Sequence, residues 1–98
     1  MLFIPNIETN SFILSFDDVE PFNENILIEA EAGFIQLDNQ IEINVQLLGN
    51  VPIEILAYVL EVSKYCKMNI LIPDDERGYS FLIDLKEQLK LKTQIRKK

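Results

Sequence analysis

The stretch Ile41-Glu42-Ile43-Asn44-Val45-Gln46-Leu47 alternates apolar and polar side chains without a break. A period of two puts the apolar set on one face of a strand and the polar set in water. Ser11-Phe12-Ile13-Leu14-Ser15-Phe16, rich in aromatic and β-branched residues, predicts a second strand. Ile26, Ile28 and Ala30 resume the alternation, and beyond Gly33 it continues one residue late through Ile35 and Leu37. A glycine at a phase slip predicts a β-bulge or tight turn. Asp38-Asn39-Gln40 then predicts a hairpin turn. Asp17 to Asn25 holds Pro21, two Asn and four acids without periodicity, and reads as a loop.

The pattern changes after Gly49. Asn50 predicts a helix cap and Pro52 suits a first helical turn. From Ile53 to Lys67 the polar residues Glu54, Tyr58, Glu61 and Tyr65 form one narrow stripe on a helix that is otherwise largely apolar. Such a helix needs neighbours on two sides: the sheet, and either the last helix or another protein. Met68-Asn69-Ile70-Leu71-Ile72, ended by Pro73, fits a buried strand. Strand, helix and strand would form a βαβ crossover if the two strands are parallel. Asp74-Asp75-Glu76 opens a second helix, with Tyr79, Leu82, Leu85 and Leu89 as its apolar stripe and acids at the positive end of its dipole. Residues 90–98 read as helix, as edge strand, or as a basic tail, with Arg96-Lys97-Lys98 expected to be mobile. The expectation is one domain over residues 1–98. It is a two-layer α+β fold, a mainly antiparallel sheet of about four strands with two helices packed on one face. A small α/β arrangement with a parallel strand pair is the alternative.

Composition narrows the chemistry. Among 98 residues there is no His and no Trp, and Cys66 is the only cysteine. A Ser-His or Cys-His pair, a His-based metal site, a zinc cluster and an intrachain disulfide are thereby excluded. The lone thiol, and an apolar start too short for a signal segment, give the expectation of a reducing, cytoplasmic setting. The longest apolar stretch, Val51 to Val62, is interrupted by Pro52, Glu54 and Glu61, far below the ~20 residues a membrane span needs, so no membrane partner is expected. Abundant Ile, Asn, Lys and Glu suggest an AT-rich bacterial or phage genome.

Charge is the most uneven property. The net charge is −7, and residues 1–63 carry eleven acids and no Lys or Arg, whereas residues 64–98 carry all nine basic residues and five acids. The acidic part repels nucleic acid and anionic lipid, and the basic part can attract an acidic surface, including that of a second copy. The plain alternative is that the two parts fold against each other and share charge.

Candidate sites follow from these features. Asp17, Asp18, Glu20 and Glu24 make an anionic surface for a basic partner; they lack the regular oxygen spacing of a calcium loop. Tyr58 and Tyr65, two turns apart on the polar stripe, could anchor a protein partner. Asp74 and Asp75 are weak candidates for Mg²⁺ at a strand end, against the simpler role of capping the helix. Cys66 without a His base reads as a small core residue. No catalytic residue set and no cofactor is expected. The leading expectation is a non-enzymatic protein-interaction module, one form being an inhibitor of a basic partner. The others are a homo-oligomeric structural subunit and a Mg²⁺-dependent carboxylate enzyme using Asp74 and Asp75.

Overall fold

Strands and helices alternate through most of the chain. The computed structural model describes residues 2–17, 21–73 and 75–97. In order they form β1 (Leu2–Asn6), β2 (Ser11–Phe16), α1 (Glu24–Gln36), β3 (Glu42–Gly49), α2 (Ile53–Val62), β4 (Lys67–Ile72), α3 (Glu76–Leu89) and β5 (Gln94–Lys97). The five strands make one sheet whose spatial order is the sequence order, β1-β2-β3-β4-β5. β1 and β2 are an antiparallel hairpin, with Asn10 in the left-handed region at φ 52°. Every later pair is parallel. A parallel pair needs a crossover, and crossovers of one hand stepping in one direction put their helices on one face.

The two-layer α+β expectation therefore holds coarsely and is corrected in detail. Among the described residues there are five strands instead of about four, three helices instead of two, and three of the four strand pairings are parallel. One-sided alternation such as that of β3 predicts an antiparallel sheet, because parallel sheets are ordinarily covered on both faces. Here alternate residues of β2, β3 and β4 (Phe12, Leu14, Ile43, Val45, Met68 and Ile70 among them) are buried and the intervening ones are not.

The expected bulged strand over 26–37 is a helix, α1. Its buried positions are Ile26, Ala30, Gly33 and Phe34, followed by the capping Leu37, which is the spacing of a helix face. Ile28 and Ile35, which produced the apparent alternation, are 61% and 64% exposed. Asn23 starts α1 by accepting the Ile26 backbone N–H at 3.2 Å, the bond an N-cap is chosen for. Residues 38–40 are consequently the turn between α1 and β3, not a hairpin.

α2 is shorter than expected. Pro52, not Asn50, occupies its cap position, without a side-chain hydrogen bond. The helix stops at Val62, and Ser63 Oγ donates to the Leu60 carbonyl at 2.6 Å as the chain turns toward β4. Tyr65 therefore lies beyond the helix, not on its stripe. α2 packs against α3 as well as the sheet. α3 is polar over most of its surface and seats chiefly through Gly78 and Leu82. Of the readings for residues 90–98, an edge strand is the one formed at Gln94–Lys97. Lys97 is tied to α3 by an ion pair with Glu76 and sits over the Tyr79 ring.

Candidate functional site

α1 lies over β1 and β2, while α2 leans toward α3. The two helices barely meet along their backbones, and a groove of about 380 Å³ opens between them. Its floor is apolar, with Phe34, Leu37, Ile43 and Val62. Its rim carries Glu31 and Asp38 from the α1 side and Glu61 from α2, and Tyr58 and Tyr65 complete the wall. The helical register explains the grouping. Glu31 and Phe34 lie three residues apart on α1, and Tyr58 and Glu61 three apart on α2, so each helix offers one apolar or aromatic and one acidic side chain to the gap. The Phe34 and Tyr58 rings bridge the helices edge to face at 5.9 Å.

The electrostatics favour cations. Partial burial, and then the Glu31 charge, push the Tyr58 hydroxyl pKa up, so it remains a neutral donor. Of the rim carboxylates, Glu61 pairs with Lys64 at 3.0 Å, leaving Glu31 and Asp38 to set the sign. Cys66 lies in the wall, and burial raises its thiol pKa. That keeps it protonated and unreactive at neutral pH.

Of the residues singled out from the sequence, the structure brings together Tyr58 and Tyr65. Asp17 is exposed after β2 and Glu24 opens α1, both away from the groove lining. Asp18, Glu20 and Asp74 lie outside the described residues. Asp75 caps α3, its Oδ1 accepting the Arg77 backbone N–H at 3.2 Å. Among the described residues no group of three or more Cys, Asp or Glu is arranged to hold a metal ion. None of the described helices is long and apolar enough to cross a membrane. Sequence reasoning missed Glu31, Asp38 and Glu61 as a group. Their shared position became visible only with α1 as a helix; the usable signal was Asn23 followed by the 26-30-33-34 spacing.

No family model, curated protein or solved structure matches this chain.

Because strand order equals sequence order, segregation along the chain becomes segregation across the molecule. The β1/α1 side carries acids without a basic residue, and the α3/β5 side carries Arg77, Lys86, Lys90, Lys92, Arg96 and Lys97. Five strands span roughly 20–25 Å, more than two Debye lengths of about 8–10 Å at physiological salt. The two edges of the sheet are therefore screened from one another, whereas at its centre Lys64 pairs with Glu61 and Lys67 with Glu42, joining the basic and acidic parts of the chain.

Proposed function

We propose that this chain is a non-enzymatic protein-interaction module whose α1–α2 groove takes a basic, amphipathic segment of a partner protein in a reducing, cytoplasmic setting. The observation that carries the reading is the juxtaposition of an apolar floor, two tyrosines and a predominantly acidic rim in one open groove. Apolar and aromatic side chains supply affinity when a partner desolvates them. Exposed carboxylates add at most about 1 kcal/mol each, so their role is to steer, orient and select a cationic ligand. An inhibitor that occupies the basic site of its target is the specific form this reading takes. The chemistry available at the groove also supports binding over catalysis: the tyrosine and the thiol are both held in their protonated forms.

The test is a titration of the isotopically labelled protein with a synthetic Lys/Leu amphipathic peptide of about four helical turns. The expected result is shifts at Phe34, Tyr58 and Tyr65, with weaker binding as salt rises from about 0.05 to 0.5 M. Glu31→Lys combined with Glu61→Lys should abolish them. Binding indifferent to salt, or shifts confined to other surfaces, refutes the proposal.

A further inference from the structure

We propose that the outer face of α1 is a coiled-coil seam that takes one helix of a partner protein, a helix whose apolar stripe is flanked by Lys or Arg. At 3.6 residues per turn, Ile28 and Ile35 stand opposite the buried set Ile26, Ala30, Gly33 and Phe34. They are 61% and 64% exposed and lie outside the core cluster. Helix propensity does not account for them, since a β-branched residue at an exposed helix position is poorer than alanine, lysine or glutamate. Two large apolar side chains one heptad apart, on the face away from the core, are the spacing of a seam.

The rest of the outer face falls into the same register. With Ile28 and Ile35 at d, the a positions are Asn25 and Ala32, and all four residues are exposed. Ala32 is small, so a second helix can approach closely between the two isoleucines. A single Asn at an a position fixes the register of such a pair. The flanking g positions are Glu24 and Glu31, and the e positions are Glu29 and Gln36, all exposed. None of the three glutamates has an ion-pair partner among the described residues. The Asn23 cap and the seat on β1 and β2 hold α1 as a helix, so the seam is formed before a partner arrives and the cost of ordering falls on the partner alone.

Charge selects the occupant. Glutamates flank the seam on both sides, so two copies of this chain pairing through α1 would set carboxylate against carboxylate. A helix with Lys or Arg at its own e and g positions meets opposite charge on both flanks, while its apolar residues cover Ile28, Ala32 and Ile35. The seam runs for roughly three turns, about 16 Å, which suits a transient contact and not a permanent one. It goes beyond the α1–α2 groove: Glu31 and Ile35 belong to both surfaces, but Asn25, Ile28, Glu29 and Ala32 are outside the groove lining, and the seam does not require the groove to be filled.

The experiment titrates the isotopically labelled full chain with a synthetic helix of about three heptads, with Leu at a and d and Lys at e and g, and with the same helix carrying Glu at e and g. The Lys-flanked helix should shift the amide signals of Asn25, Ile28, Ala32 and Ile35, and the Glu-flanked helix should not. Ile28→Lys should weaken the Lys-flanked helix about tenfold or more. Tyr65→Ala, in the groove wall, should leave its affinity unchanged. Glu24→Lys combined with Glu29→Lys should exchange the preference, so that the Glu-flanked helix binds the better. Far-UV circular dichroism confirms that each variant folds. Absence of shifts along α1 at roughly millimolar peptide overturns the proposal. So does equal binding of the two helices, and so do shifts confined to Tyr58, Val62 and Tyr65, which would assign the peptide to the groove.

Discussion

Gly33 fixes how closely α1 lies on the sheet, and Gly33→Ala reads that distance as a free energy. In a helix the exchange should help, since alanine is favoured over glycine by about 1 kcal/mol. At this position the added Cβ would lie 2.2, 2.7 and 2.9 Å from three atoms of the Phe12 ring. Those separations are far inside van der Waals contact, so something must move. The ring has little freedom: Phe12 is fully buried, with Phe34 at 4.9 Å and Phe3 at 6.3 Å packed edge-on around it. Overpacking a fixed site costs about 3 kcal/mol, the upper part of the usual range. Net of the helix gain, Gly33→Ala should destabilise by about 2 kcal/mol, a fall in Tm of roughly 8–16 °C for a domain of this size. Urea denaturation followed by far-UV circular dichroism measures it. The double variant Gly33→Ala with Phe12→Leu should lose less than the two single losses added together, because the shorter side chain relieves the overlap. A Gly33→Ala protein as stable as or more stable than wild type would refute the close approach and with it the seating of α1.

The remaining predictions test other joints of the molecule. Gly49 has φ of 81°, and a Cβ there would lie 1.9 Å from the Phe16 backbone carbonyl oxygen, so Gly49→Ala should cost more than Gly33→Ala by the same denaturation assay. Asp75→Ala removes the side-chain cap of α3 and should cost about 1 kcal/mol. The Glu42 carboxyl is held below its ordinary range first by the Asn69 hydrogen bond and then by Lys67. A depressed folded pKa stabilises above the unfolded value and loses that contribution as pH falls through the folded value, so the Glu42 effect should vanish only below about pH 4.5. Side-chain NMR titration should show the Glu42 midpoint rising toward 4.5 in Asn69→Ala. Burial raises the Cys66 pKa, so alkylation by iodoacetamide at pH 8 should be slower than for an unstructured peptide thiol and should quicken in urea.

Much of the second half was legible because each element there has one dominant signal. β3 alternates cleanly, α2 follows a proline, β4 is a short apolar run before Pro73, and α3 has Asp75 to cap it. The first half misled because two periods coexist. Ile26, Ile28 and Ala30 satisfy a period of two, while Ile26, Ala30, Gly33 and Phe34 satisfy a helix, and only burial decides between them. β1 escaped because Pro5 argues against a strand interior; it is tolerated at the sheet's edge. Tyr58 could be recognised as a candidate from its place on a stripe. Its acidic neighbour Glu31 comes from another helix, and no local pattern reports which helices leave a gap between them.

The proposed groove and the bare sheet face both follow from one topological fact. A chain that steps its strands in sequence order places every crossover helix on one side. That side acquires helices whose spacing varies, and where α1 and α2 diverge a groove remains. The opposite side is left bare, with a shallow depression of about 380 Å³ over β2, β3 and β4. The alternation of β3 then takes on a second meaning: Asn44 and Gln46 keep that side wettable between Ile13 and Leu71, which would otherwise join into one exposed apolar surface prone to aggregation.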